Sequence, residues 1–283
     1  MEHHLRRIGI ATVVDAVKGL IQKTAFELPD FVKKDISRAV DEESSPLSKK
    51  LLTELLENAY VASKERIPLC QDSGLPKIVI TQGEDCHISG LDNLGFLEKA
   101  VGSVYEEAFL RRSAADPLTR KNLGLKIPLS IEFRVESGDK VIVSTMAKGG
   151  GCDNKSVLFN LKPTTSPEDV KRAILEKIAA AGPDACPPYY IGICIGANFE
   201  SAPLYASRAL ESLWSGKKPL PREGELSQEY LEAVNSLGIG PMAMGGRTTA
   251  LNLSVKIVPT HIASLPVAIS ISCHSFRVGR VVL

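Results

Sequence analysis

Apolar positions recur at helical spacing along the first quarter of the chain. Val13, Val14, Val17, Leu20 and Ile21 mark one helix, and Phe31, Val32, Ile36, Ala39 and Val40 a second. A third opens at Ser45-Pro46, where serine caps free N–H groups and proline pre-sets the first turn, and it carries an apolar face of Leu51, Leu52, Leu55, Leu56 and Ala59. Further on the period changes. KIVI at 77–80 predicts a strand, and the stretch from Leu94 to Phe109 another amphipathic helix. IEFRV and KVIVSTM flank Glu136-Ser137-Gly138-Asp139 and predict a hairpin. Ser166-Pro167-Glu168-Asp169 starts a helix that Gly182 ends, and Ser201 to Trp214 forms the next. Ser215 to Glu225 is expected to be a surface loop, and the tail supplies strands at 250–258, 267–273 and the terminus. The fold class is therefore α/β, mixed α and β: a helical amino-terminal third followed by mixed sheets flanked by helices.

The length fits one domain over 1–283, with a helical segment over 1–66 and α/β lobes over 67–283. A net charge of +1, with 24% charged and 44% hydrophobic residues, supplies no global field for nucleic acid or an anionic membrane. The longest apolar run, Tyr189 to Ala197, falls far short of the roughly 20 residues that a membrane helix needs. Asp15 and Lys18 interrupt the amino-terminal stretch, so no signal peptide is read there and a cytoplasmic protein is expected.

Regular elements leave several Gly/Pro/Cys-rich segments unexplained: 67–76, 147–156, 184–197 and 237–251, with 260–277 carrying two histidines and a cysteine. Loops of this composition between good elements are where a scaffold places its chemistry. Gly149-Gly150-Gly151 can aim backbone N–H groups at an anion or simply make a tight turn. With Lys155 and Ser156 the run approaches a phosphate loop, but Asn154 stands where the last glycine should be and 157–165 does not read as helix.

Six cysteines occur, and a chain of this length without an export signal uses thiols as buried hydrophobes or ligands sooner than as disulfides. Cys70, Cys186 and Cys273 each fall in one of the unusual segments. No short CxxC spacing supports a zinc ribbon or ferredoxin site. Three thiolates from distant loops can hold a [4Fe–4S] cluster and leave one iron open as a Lewis acid, though spacing alone does not establish it.

The segments together resemble the class I, iron–sulfur-dependent fumarate hydratase family, in its N-terminal or alpha part. The resemblance rests on Cys70-Gln71-Asp72-Ser73-Gly74, Lys148-Gly149-Gly150-Gly151 with Asn154-Lys155, and Ala185-Cys186-Pro187-Pro188-Tyr189. It continues through Gly238-Ile239-Gly240-Pro241 with Gly245-Gly246-Arg247-Thr248-Thr249 to Ser272-Cys273, all in the family's order. It implies that Cys70, Cys186 and Cys273 carry a [4Fe–4S] cluster between lobes, that Gln71 and Asp72 touch substrate, and that Gly150 donates a backbone N–H to it. Leu110-Arg111-Arg112-Ser113 resembles a family segment that puts Arg111 on a substrate carboxylate, and His261 aligns with an active-site histidine. Asp72 and His261 are the expected catalytic residues. The bland readings are an Asx turn at Asp72, a solvated Arg111 with Arg112 in its place, and a hydrogen-bonded core role for His261. Cys86, Cys152 and Cys194 are expected not to be ligands.

The implied reaction is reversible hydration of fumarate to (S)-malate. L-Tartrate dehydratase, which shares the CQD and CPP segments, is the nearest alternative, and Cys152 is its one tartrate-like feature. The implied partner is a beta subunit that completes the active site in an α2β2 assembly, with a small dicarboxylate as substrate and no nucleic acid or membrane. Rival readings are a non-catalytic iron–sulfur sensor, a nucleotide site at 149–156, and zinc on Cys186, Cys273, His261 and His274.

Overall fold

A computed structural model describes residues 5–91 and 95–283. Leu94, the expected start of the fourth helix, lies outside them, as do the first four residues of the basic amino-terminal stretch. In order, the elements are β1 (Arg6–Gly9), α1 (Ile10–Phe26), α2 (Asp30–Glu42), α3 (Pro46–Glu65), β2 (Leu75–Gly83), β3 (Cys86–Ser89) and α4 (Gly95–Glu107). There follow β4 (Ser130–Glu136), β5 (Val141–Lys148), α5 (Gly150–Lys155), β6 (Val157–Leu161), α6 (Pro167–Ala179), β7 (Tyr189–Gly196), α7 (Ala202–Ser215), α8 (Pro221–Asn235), β8 (Ala250–Val258), β9 (Leu265–Ser272) and β10 (Arg277–Val282). The mixed α and β class expected from the sequence is observed. No helix among the described residues is long and apolar enough to cross a membrane.

The chain divides into two compact units, and the helical amino-terminal third is shared between them. Unit 1 comprises Met1–Pro29, Ala59–Gly149 and Phe276–Leu283. Its main sheet runs β10-β5-β2-β4, and β1 pairs with β3 in a small parallel sheet. Val13, Val17 and Leu20 of α1 and Leu97, Val101 and Val104 of α4 pack with Ile78 and Ile80 of β2 and Val141 and Val143 of β5. The period-3.6 stripes of the helices thus meet the period-2 stripe of the sheet.

One expectation fails here. β4 and β5 are both strands, but they do not form a hairpin, because β2 lies between them, parallel to β4 and antiparallel to β5. The connection crosses the end of β2, where Glu84 N–H donates to Glu136 O and Gly83 N–H to Lys140 O, each at 2.8 Å. A Cβ on Gly83 would lie 2.2 Å from Gly138 O, so glycine alone permits the crossing. The turn chemistry of Ser137-Gly138 was real; the register partner came from fifty residues upstream, where local pattern carries no information.

Unit 2 comprises Asp30–Asn58 and Gly150–Ser275. Its sheet runs β6-β9-β7-β8. Ile191 and Ile193 of β7 face α6 and α8, packing with Ile174, Ile178, Tyr230 and Val234. The alternate positions, Gly192 and Cys194, face α7, where Cys194 packs with Ala202 and Ala206. Both faces of β7 are covered, which explains the unbroken apolar run from Tyr189. Ser166 caps α6 as expected, accepting from Asp169 N–H at 3.1 Å. Helix α8, by contrast, replaces half of the surface loop expected over Ser215–Glu225. Pro221 occupies its first turn, and Glu223 accepts from Leu220 N–H at 3.2 Å.

Candidate functional site

The Cys70–Gly74 segment enters β2 as a loop of unit 1 and is braced from every side. Asp72 N–H donates to Cys70 Sγ at 3.4 Å, and Asp72 Oδ1 accepts from Gly74 N–H at 2.9 Å. The second bond is the Asx turn the bland reading anticipated, and it leaves Oδ2 pointing toward the end of β5. A Cβ on Gly74 would lie 2.8 Å from Lys148 O, so that position needs glycine, and one on Gly149 would lie 2.9 Å from that Oδ2 and push the Asp72 carboxylate aside. Arg277 Nη1, from the first residue of β10, donates to Asp72 O at 2.7 Å, and Tyr105 OH, from α4, donates to Gly74 O at 2.7 Å. Burial pushes the Tyr105 phenol up to about 12, with Arg277 pulling it down and Asp72 pushing it further up.

Arg111 is tied to the same loop through its backbone, its N–H donating to Ser73 Oγ at 2.7 Å. Its side chain is exposed and has no ion-pair partner among the described residues. Arg112 differs: Glu106 pairs with its guanidinium at 3.1 Å, and Asn122 Nδ2 donates to its carbonyl. Of the two neighbouring arginines, Arg111 is therefore the one available to a ligand. Gln71 is exposed, with Oε1 3.4 Å from Cys70 Sγ.

In unit 2 the pairing of strands does most to assemble the predicted residues, with side-chain bonds adding to it: Ser156 Oγ accepts from Ile271 N–H at 3.1 Å. Tyr190 of β7 pairs with Ser272 of β9, so Cys186, just before β7, and Cys273, just after β9, reach the same end of the sheet. His274 Nδ1 lies 3.1 Å from Cys186 O. Cys186 itself has φ +53, an unusual backbone for a residue with a side chain, and the Pro187–Pro188 bond that follows it is cis. Gly150 opens the short helix α5 at this end and is exposed. That helix packs on the 182–186 turn, since a Cβ on Gly151 would lie 2.4 Å from Asp184 O and Cys152 Sγ contacts Ala185 O at 3.6 Å. Thr249, last of the Gly245–Thr249 motif, holds the entry to β7 by accepting from Tyr189 N–H at 2.9 Å.

His261 is placed elsewhere. It lies in the loop before β9, whereas Cys273 follows β9, and eight residues of strand, roughly 25 Å, separate the two ends. Its ring is exposed, with Nδ1 accepting from Ala263 N–H at 3.1 Å. The rival zinc set loses a member by this placement. The nucleotide reading loses its lysine, because Lys155 Nζ is paired with Asp184 Oδ2 at 2.7 Å, and two of the three glycines, Gly150 and Gly151, lie within α5. A polar cavity of about 980 Å³ in unit 2, lined by residues such as Arg38, Glu232, Asn235 and Arg247, contains none of the predicted site residues.

All six cysteines are thiols, and exposure sorts them: Cys70, Cys186 and Cys273 are half-buried, while Cys86, Cys152 and Cys194 are buried. Among the described residues no group of three or more His, Cys, Asp or Glu is gathered for a metal ion. A single ion draws its thiolates within about 4 Å of one another. A four-iron cube takes each thiolate on its own corner, and three loop-borne, accessible thiols suit that donor set. The donor chemistry thus fits an iron–sulfur cluster.

Arg277 and Tyr105 are the residues that sequence reasoning missed. Arg277 is 3% exposed, and its Nε has no hydrogen-bond partner among the described residues. The available signal was position: an arginine four residues after Cys273, opening an apolar strand, is a buried cation that must have a purpose.

Comparison with known proteins gives the family. Residues 14–282 match the Fumarate hydratase (Fumerase) family. The chain is 36% identical over 271 residues to the putative L(+)-tartrate dehydratase subunit alpha of Methanocaldococcus jannaschii, covering 94% of this chain and 95% of that protein. It is 32% identical over 249 residues to the anaerobic class I fumarate hydratase of Escherichia coli, covering 84% of this chain but 45% of that enzyme. The L(+)-tartrate dehydratase subunit alpha of Escherichia coli is 25% identical over 283 residues, covering 93% of its length. The chain thus spans nearly the whole of the alpha subunits and less than half of the fumarate hydratase. Both tartrate dehydratase relatives are named as alpha subunits. This chain belongs to the fumarate hydratase (Fumerase) family of hydro-lyases.

Proposed function

We propose that the chain is the cluster-binding alpha subunit of a hydro-lyase that interconverts fumarate and (S)-malate, working with a beta subunit in an α2β2 assembly. The observation that carries the reading is the sorting of thiols: Cys70, Cys186 and Cys273 are partly accessible, whereas Cys86, Cys152 and Cys194 are buried, although Cys152 and Cys194 also lie in Gly/Pro/Cys-rich segments. A [4Fe–4S] cluster on Cys70, Cys186 and Cys273 would supply a Lewis-acidic iron for substrate oxygen.

The chain's own residues bind and orient. Arg111 offers a planar guanidinium to one carboxylate, a task its two-pronged geometry suits better than lysine would. Gly150 N–H and the Gln71 amide supply neutral donors, which hold the acid in one geometry without adding charge. Asp72 exchanges a proton with the departing oxygen. Its orientation is set by the Asx turn to Gly74 and by Arg277 on its carbonyl. His261, a strand's length from Cys273, is given no proton-transfer role in this proposal.

A second reading, dehydration of L-tartrate, is favoured by the similarity to the Methanocaldococcus jannaschii protein across almost its whole length. Anaerobic co-purification with the beta subunit, followed by assay of malate and tartrate side by side, separates the two. Iron and sulfide counts on serine variants test the site. Cys70→Ser, Cys186→Ser and Cys273→Ser should each lose the cluster, while Cys86→Ser and Cys194→Ser should keep it. Full iron in the first three, or no turnover of either acid by the loaded complex, would sink the proposal.

A further inference from the structure

Helix α4 ends in a left-handed turn. Leu110 N–H donates to Tyr105 O at 2.9 Å and Phe109 N–H to Glu106 O at 3.2 Å, with Phe109 at φ +51. Glycine usually holds that place, because a Cβ there crowds the neighbouring carbonyl. Here a phenylalanine holds it, and the ring is 90% exposed. The chain then runs out to a second turn, closed by Asp116 Oδ1 accepting from Leu118 N–H at 3.1 Å and Thr119 N–H at 2.7 Å. Asp116 N–H donates to Lys121 O and Leu123 N–H to Ala114 O, each at 2.9 Å. Leu118, within that turn, is 91% exposed.

This segment is stiff. Leu110, Ala114 and Ile127 at its base are buried in the core of unit 1, and the bonds just named leave the outer turn little freedom. The left-handed backbone at Phe109 costs stability, and two large apolar side chains left in water contribute none of the gain that burial would bring. The segment's charge is also lopsided: Arg111, Arg112, Arg120, Lys121 and Lys126 stand against Asp116 in a chain of net charge +1.

We propose that residues 109–126 form a docking finger for the beta subunit, the chain equivalent to the part of the class I fumarate hydratases that lies outside the matched stretch. Phe109 and Leu118 enter apolar pockets on it, and Arg120, Lys121 and Lys126 face its carboxylates, while Arg111 stays on the substrate and Arg112 on Glu106. Three observations select this occupant. A second copy of the finger would bring like charges together. In the Escherichia coli enzyme 45% of the length is matched, so more than half of that enzyme lies outside the stretch this chain resembles. Arg111 N–H on Ser73 Oγ makes the finger continuous with the Cys70–Gly74 loop, so a subunit seated there covers Gln71 and Asp72. The inference rests on the proposed function for the identity of its partner.

The test measures assembly, not turnover. The chain and beta subunit are co-expressed, separated and titrated against each other in a sedimentation or interferometry assay. Leu118→Ser should weaken the complex by about ten-fold or more, while Tyr60→Ser, removing an exposed aromatic from α3, should change affinity by less than about two-fold. Phe109→Gly gives the sharper reading, because two effects take opposite signs. Relief of the left-handed strain should raise the melting temperature of the isolated chain by about a few degrees, while the complex weakens by about ten-fold. A merely structural Phe109 would move both in the same direction. Unchanged affinity in both finger variants, absence of any complex, or self-association of the chain that Leu118→Ser abolishes would each overturn the proposal. A complex that weakens as expected yet dehydrates neither malate nor tartrate would leave the docking finger standing and remove the proposed function instead.

Discussion

The two units present their site residues by different means. In unit 2, Cys186 and Cys273 arrive together because β7 and β9 are paired along their length, and each cysteine follows from where its strand starts or stops. In unit 1, the Cys70–Gly74 loop has no ladder and is pinned by a few side chains: Arg277 on one carbonyl, Tyr105 on another, Ser73 reaching to Arg111. The first arrangement spreads its stability over a sheet packed on both faces. The second concentrates it in single hydrogen bonds to buried groups, where losing one partner costs the full desolvation of the other. Site residues in unit 2 should therefore fail chiefly when the sheet fails, and those in unit 1 should fail one substitution at a time.

Breaking the sheet should have the largest effect. A Cβ at Gly192 would lie 2.2 Å from Ala206 O and 2.4 Å from Leu210 N, both backbone atoms of α7. Gly192→Ala should cost about 3 kcal/mol or more in urea unfolding, with loss of cluster binding as a consequence. A cost under about 1 kcal/mol would show that α7 slides freely and that the contrast is overdrawn.

Arg277→Met comes next. It leaves Asp72 O without its charged donor, and we expect a stability loss of about 2 kcal/mol. The more telling result is in turnover. With iron content retained, kcat/KM should fall about 30-fold, and Arg277→Lys, lacking the planar fork, should recover little of it. Recovery to wild-type turnover by lysine would reduce Arg277 to a buried charge with no positioning role.

Alkaline titration sharpens the same comparison. The buried Tyr105 phenol of unit 1 is pushed from an ordinary value of 10 up to about 12, so its contribution is full below pH 10 and is lost as pH rises toward 12, at most about 2–3 kcal/mol. In unit 2, burial pushes the Cys194 thiol from 9 up to about 12, with Lys256 opposing, so that contribution begins to fade near pH 9. Cys194→Ala should move the onset of alkaline destabilisation upward, followed by circular dichroism between pH 8 and 12 (about the span of these shifts). An unchanged onset would mean that the thiol ionises freely in the fold.

The smallest effect expected is at a helix cap. Ser166→Ala removes the acceptor of Asp169 N–H at the start of α6 and should cost about 1 kcal/mol without changing iron content or turnover.

Much of this architecture was legible from residues alone wherever local chemistry decides. The stripes of α1, α2 and α4, the Ser166 cap and the strand at 250–258 each depend on neighbours within a few positions, so pattern suffices. Helix α8 was missed because Pro-Leu-Pro and a run of charges read as a linker, although Pro221 and Glu223 are also what a first turn prefers. The hairpin at 131–146 was misread because a good turn says where a chain bends and not which strand it will pair with.

For the site, the sequence alone supplied the candidate ligands and the class of chemistry, through the order of its motifs and their resemblance to the class I fumarate hydratases, which bare cysteine spacing does not provide. Tertiary structure decided the rest. It separated three accessible thiols from three buried ones, set His261 a strand's length from Cys273, and brought Arg277 onto the carbonyl of Asp72. The reason is physical: burial, strand register and the reach of one guanidinium depend on residues some two hundred positions apart in the chain, and no local pattern encodes which of them will meet.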